Sequence, residues 1–104
     1  MRLWIRADAS AEIGLGHVMR TLALAETARA QGDAVSYVCA RQTLTGLPRR
    51  YGFDVHVVKT TSDHSWLKHV LPGESVVFDG YSFTVDDLLA AKASGAVVGV
   101  VDDL

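Results

Sequence analysis

Leu3-Trp4-Ile5-Arg6-Ala7-Asp8, followed by Ile13-Gly14-Leu15-Gly16-His17-Val18-Met19-Arg20, is the stretch that decides the fold. The first run is short, rich in apolar and aromatic residues, and closed by an acid, which is the pattern of a strand. The second is a glycine-rich turn that runs into a helix. From His17 to Gln31 apolar residues recur at Val18, Leu22 and Ala25, with Met19 and Ala23 alongside, and Gly32 supplies the stop. Strand, turn and helix in that order begin a βα unit.

The same alternation continues to the end of the chain. Ala34 to Ala40, Val55 to Val58, Ser75 to Phe78 and Val97 to Val101 read as four more strands, each bounded by Gly, Asp or Pro. Leu44 to Tyr51, His64 to Leu71 and Thr84 to Ser94 read as helices, the second halted by Pro72-Gly73 and the third by Gly95. Val97-Val98-Gly99-Val100-Val101 is apolar throughout, so it is expected to be covered on both faces. Five strands and four intervening helices predict an α/β domain with a parallel sheet. Right-handed crossovers favour the doubly wound order 3-2-1-4-5, which places a ligand crevice at the carboxyl ends of strands 1 and 4, where the winding reverses.

Composition agrees with one packed core. The chain has 104 residues, 49% hydrophobic and 21% charged, so one domain is expected and disorder is not. Ten Lys plus Arg against twelve Asp plus Glu give a net charge of -2, which offers no electrostatic reason for a nucleic-acid or anionic-membrane partner. The start Met1-Arg2-Leu3-Trp4-Ile5-Arg6 places charges on both sides of a short apolar stretch and lacks the continuous hydrophobic region expected of a signal peptide, and no run approaches the ~18 apolar residues of a membrane span. The one cysteine, Cys39, lies in an apolar strand pattern, reads as a small buried hydrophobe and fits a reducing cytoplasm.

Three neighbouring strands deliver acids to one edge: Asp8 after strand 1, Asp79 after strand 4, and Asp102-Asp103 after strand 5. Aspartate is common at any strand end, but three converging on the predicted crevice point to a site. Gly14 and Gly16 let the backbone bring its N–H groups, with the helix dipole, close to a polar or anionic ligand. A dinucleotide fingerprint is disfavoured, because its third glycine falls at Met19 and strand 2 ends in Cys39-Ala40-Arg41 with no acid for a ribose; no P-loop run exists, which excludes the ordinary P-loop.

His17 stands in the first helical turn, where the dipole favours the neutral imidazole. Such a group takes a proton from water or a sugar hydroxyl near neutral pH, as a general base must, or simply hydrogen-bonds the loop; spacing leaves both open. Arg20, three residues later, meets a phosphate or pairs with a carboxylate. His56, His64 and His69 match no metal spacing and read as surface or packing residues, so no metal site is indicated. Trp4 and Trp66 fit core positions.

Taken together, Arg6-Ala7-Asp8-Ala9-Ser10, Ile13 to Leu22, Asp79-Gly80-Tyr81 and Val101-Asp102-Asp103-Leu104 resemble the amino-terminal half of the UDP-sugar hydrolases of pseudaminic acid biosynthesis, and of related spore-coat polysaccharide biosynthesis proteins described as glycosyltransferases. The resemblance spans essentially the whole chain. It implies one half of a GT-B arrangement, in which two Rossmann-like domains face each other across a cleft and the carboxyl-terminal one, expected beyond Leu104, holds most of the nucleotide. It implies that water replaces UDP at the anomeric carbon of a 2,4-diacetamido-2,4,6-trideoxy sugar, with no cofactor. His17 then matches the catalytic histidine, and Asp8, Asp79, Tyr81 and Asp102 match motif positions around the cleft. Many members read Asp-His-Tyr where this chain has Asp79-Gly80-Tyr81, so any role of that histidine is absent here. A glycosyltransferase, with an acceptor hydroxyl in place of water, is the alternative enzyme. A receiver-like binding domain is the alternative outside enzymes, but it wants paired acids after strand 1 and a lysine after strand 5, and the chain has neither.

Overall fold

The computed structural model describes residues 1–8, 16–40, 46–80 and 83–101, with backbone alone for residues 16–18 and Leu47. In chain order the elements are β1 (Arg2–Ala7), α1 (Gly16–Ala30), β2 (Ala34–Ala40), α2 (Gly46–Arg50), β3 (Asp54–Val58), a 3-10 turn (Ser65–His69), β4 (Ser75–Asp79), α3 (Val85–Ala93) and β5 (Val97–Val101). All strand pairs are parallel and the sheet order is β3-β2-β1-β4-β5. This is a Rossmann-like α/β sheet with the predicted order.

Strand alternation divides the core between the two faces of the sheet. On one face Leu3, Ile5 and Ala7 of β1 and Val35, Tyr37 and Cys39 of β2 pack with Leu22, Ala25 and Ala28 of α1. On the other, Trp4, Val38, Val76 and Phe78 pack with Trp66 of the 3-10 turn and Ala91 of α3. Both tryptophans are therefore core residues, as their positions in the sequence suggested. Cys39 is buried there too, and burial first, then the nearby Asp8, push its thiol up to about 12, so it stays protonated and serves as a small apolar filler.

Two expectations are corrected. His64 to Leu71 does not form an α-helix: only Ser65–His69 winds, as a 3-10 turn, and Val70 is already extended. Pro72 disfavours helical backbone at Leu71, whose N–H instead donates to the Glu74 carboxylate at 2.7 Å. The second concerns β5. It is the outer strand of the described sheet, packed by α3 through Val98, and Val97 and Val100 are 64% and 54% exposed rather than covered on both faces. The helix predicted from Leu44 is seen as Gly46–Arg50, its first two residues lying outside the described set.

Helix ends follow sequence chemistry. At the end of α1, Gly32 (φ 93°) donates to the Arg29 carbonyl and Asp33 to the Ala28 carbonyl, a paired closure that needs left-handed backbone. Gly95 (φ 90°) closes α3 in the same conformation, but there an added Cβ would lie 3.0 Å from Cβ and 3.1 Å from Cα of Pro72. Gly32→Ala is accordingly expected to cost ~1 kcal/mol, from backbone conformation alone, and Gly95→Ala ~2–3 kcal/mol, from conformation plus overlap. Urea denaturation of both variants checks the order; equal losses would mean that Pro72 yields freely.

Candidate functional site at the carboxyl edge of the sheet

Pairing of β1 with β4 sets Ala7 opposite Asp79, so Asp8 and Asp79 leave adjacent strands at the same edge. Each is held by an arginine. Asp79 ends β4 fully buried, and Arg20 of α1 grips it with both branches of its guanidinium: Nε donates to Oδ2 at 3.1 Å and Nη2 donates to Oδ1. Of the two roles open to Arg20 in the sequence, the described structure shows the carboxylate partner. The consequence is positional, because a bidentate pair fixes direction as well as distance and so sets the amino-terminal turns of α1 against the end of β4.

Asp8 is held from β1, the end of β2 and the turn after β3. Its Oδ1 accepts from Arg6 Nη1 at 2.7 Å and from the Ala40 N–H at 2.7 Å, and its Oδ2 accepts from the Thr61 hydroxyl at 3.0 Å. Arg6 is 1% exposed and also donates to the carbonyls of Val38 and Thr61, both at 3.1 Å, while its guanidinium carbon lies 4.7 Å from the Phe83 ring centre. One buried ion pair thus joins β1, the end of β2, the turn after β3 and the segment after β4. Arg6 is a residue that the motif reading left without a role. A signal was present, because residues two apart on a strand share a face, and Arg6 followed by Asp8 is an opposite-charge pair at that spacing.

Beneath Arg20, Thr21 is buried and accepts a hydrogen bond from the Tyr37 hydroxyl at 3.1 Å. Burial raises the Tyr37 phenol to about 12 despite that bond, with Cys39, Asp79 and Glu26 adding to the rise, so it remains a neutral donor.

His17 is the second residue of α1 and stands three positions before Arg20. A three-residue step returns to the same helix face, so its backbone sits one turn beyond the Arg20–Asp79 anchor, at the amino-terminal end of the helix. Gly16 begins α1; Gly14, Tyr81 and Asp102 lie outside the described residues. The described part of the site therefore comprises Asp8, Asp79, Arg20 and the first turn of α1.

The edge is braced further by His64, whose Nε2 lies 2.6 Å from Asp87 Oδ1. Asp87 also accepts from the Thr84 N–H at 2.7 Å in a reciprocal capping box at the start of α3. Burial by itself would raise its carboxyl, but the bonds from His64 and Thr84 outweigh this and hold it below the ordinary value of 3.8. A depressed carboxyl contributes stability that is present above its unfolded value and lost as pH falls through the folded one. Asp87→Ala should thus cost ~1–2 kcal/mol at pH 7, and thermal melts should show the gap to the parent narrowing below pH 4. A gap constant across that range would remove the carboxylate from the account.

Among the described residues no three His, Cys, Asp or Glu side chains gather as a metal site, and no helix is long and apolar enough to cross a membrane. No family model, no curated protein and no solved structure matches the chain.

Proposed function

We propose that this chain is the amino-terminal, catalytic half of a GT-B nucleotide-sugar hydrolase. Its substrate is a UDP-linked 2,4-diacetamido-2,4,6-trideoxy sugar, and it acts in a cytoplasmic step of surface or spore-coat polysaccharide biosynthesis. The observation that carries the reading is the anchoring of α1: Arg20 on Asp79 holds the turn containing His17 over the edge where the parallel sheet reverses its winding. The motif resemblance adds the identity of the reaction. In this mechanism the His17 imidazole takes a proton from water as its oxygen forms a bond to the anomeric carbon. The bond from that carbon to the UDP oxygen breaks, and UDP leaves with the electron pair. The glycine-rich loop of Gly14 and Gly16 is assigned to positioning the sugar, and the motif resemblance assigns Tyr81 and Asp102 to the cleft. The partner domain holds UDP.

Acceptor-free incubation of the protein together with its carboxyl-terminal domain tests the reaction class. Free sugar in step with UDP release is the expected result. Sugar released only when a hydroxylated acceptor is supplied would make the enzyme a glycosyltransferase.

A further inference from the structure

A second polar feature lies at the carboxyl ends of β2 and β3, two strands from β4 and its Asp79. Ala40, Lys59, Thr60 and Thr61 line an open recess of about 250 Å³. Whole small-molecule ligands occupy clefts of roughly 300–1,000 Å³, so this recess suits one chemical group rather than a nucleotide. Its floor is rigid. The Thr61 carbonyl accepts from Arg6 at 3.1 Å and its hydroxyl donates to Asp8 at 3.0 Å, while the Ala40 N–H is engaged by Asp8 at 2.7 Å. The rim is pinned by Asp63, which accepts from the Lys59 N–H at 3.2 Å and the Ser65 N–H at 2.9 Å. Bonds from Ser65, then Lys59, hold that carboxyl at about 2, so its charge is engaged by its own turn. Among the described residues, the recess offers a visitor the exposed Lys59 side chain and the Thr60 hydroxyl, which has Ser62 Oγ at 3.4 Å.

We propose that this recess binds a single small oxyanion group, phosphoryl or carboxylate, with Lys59 supplying the charge and Thr60 a hydrogen bond. A cation and a hydroxyl over a preformed polar floor complement an anion's oxygens, and the Arg6–Asp8–Thr61 brace leaves little to reorganise on binding. The subsite borders the crevice assigned to the sugar through Asp8, which Ala40 and Thr61 bond, but Lys59 and Thr60 have no part in the proposed reaction, so the two are tested apart.

The test is amide-shift titration of the isotope-labelled chain with inorganic phosphate and, separately, acetate, at ionic strength held constant with chloride. Saturable shifts at Ala40 and Lys59 to Thr61 are expected. Lys59→Ala should weaken binding about tenfold or more, as loss of one charge-assisted contact does, while Lys59→Arg should largely preserve it. Saturation by phosphate alone assigns a phosphoryl group, and saturation by acetate as well assigns a carboxylate. Unsaturable shifts with both anions, equal affinity in Lys59→Ala, or saturable shifts confined to the start of α1 would each overturn the proposal.

Discussion

His17→Ala is expected to lower turnover of the proposed two-domain enzyme by ~100-fold or more, the usual contribution of a positioned acid–base group, while UDP affinity stays nearly unchanged. The separation follows from the division of labour proposed above, since the carboxyl-terminal domain makes the nucleotide contacts and α1 supplies the base. The helix itself should survive, because its anchor is Arg20 on Asp79, one turn away. Steady-state kinetics alongside UDP titration checks both halves. A fall in UDP affinity that matched the fall in rate would make His17 a binding residue instead.

Arg6→Ala should be the most damaging substitution for stability, costing ~3–5 kcal/mol, a large part of the ~5–15 kcal/mol by which domains are usually stable. Burial makes the difference. Arg6 is 1% exposed, and its removal takes from the buried Asp8 carboxylate its Arg6 ion-pair partner and from the carbonyls of Val38 and Thr61 one donor each. Because the two charges share one network, Arg6→Met with Asp8→Leu should cost less than the two single changes added together. Urea denaturation reads all three variants. Additive losses would show that the pair does not act as a unit.

The fold was legible in the sequence because its signals are local. A short apolar-rich run such as Ser75 to Phe78, or a glycine at Gly32 after a 3.6-residue repeat, specifies a strand or a helix end regardless of distant parts of the chain, and handedness then orders the strands. Where a distant residue decides, reading failed. The stretch His64 to Leu71 has helical composition, but His64 is committed to Asp87, 23 residues away, and only one 3-10 turn forms before the backbone extends at Val70. The apolar run Val97 to Val101 signals a strand equally well at the edge or the centre of a sheet, so its exposure was not readable. At the site, Asp8 and Asp79 were found as strand-end acids, but their arginine partners come from two residues earlier in one case and 59 earlier in the other. Only the first spacing carries a signal, and it was overlooked because arginine inside an apolar strand reads as an exception rather than as an anchor.

In the proposed reaction water attacks the anomeric carbon at the edge of the sheet beside His17. Turnover of the UDP-sugar by the two-domain enzyme in ¹⁸O-water, without acceptor, tests it most directly, because mass spectrometry of both products reports which bond was cut. Expected are ¹⁸O in the free sugar at its anomeric oxygen, none in UDP, and a fall in this labelling rate in His17→Ala. Label in the UDP phosphoryl group would place the attack at phosphorus and contradict it.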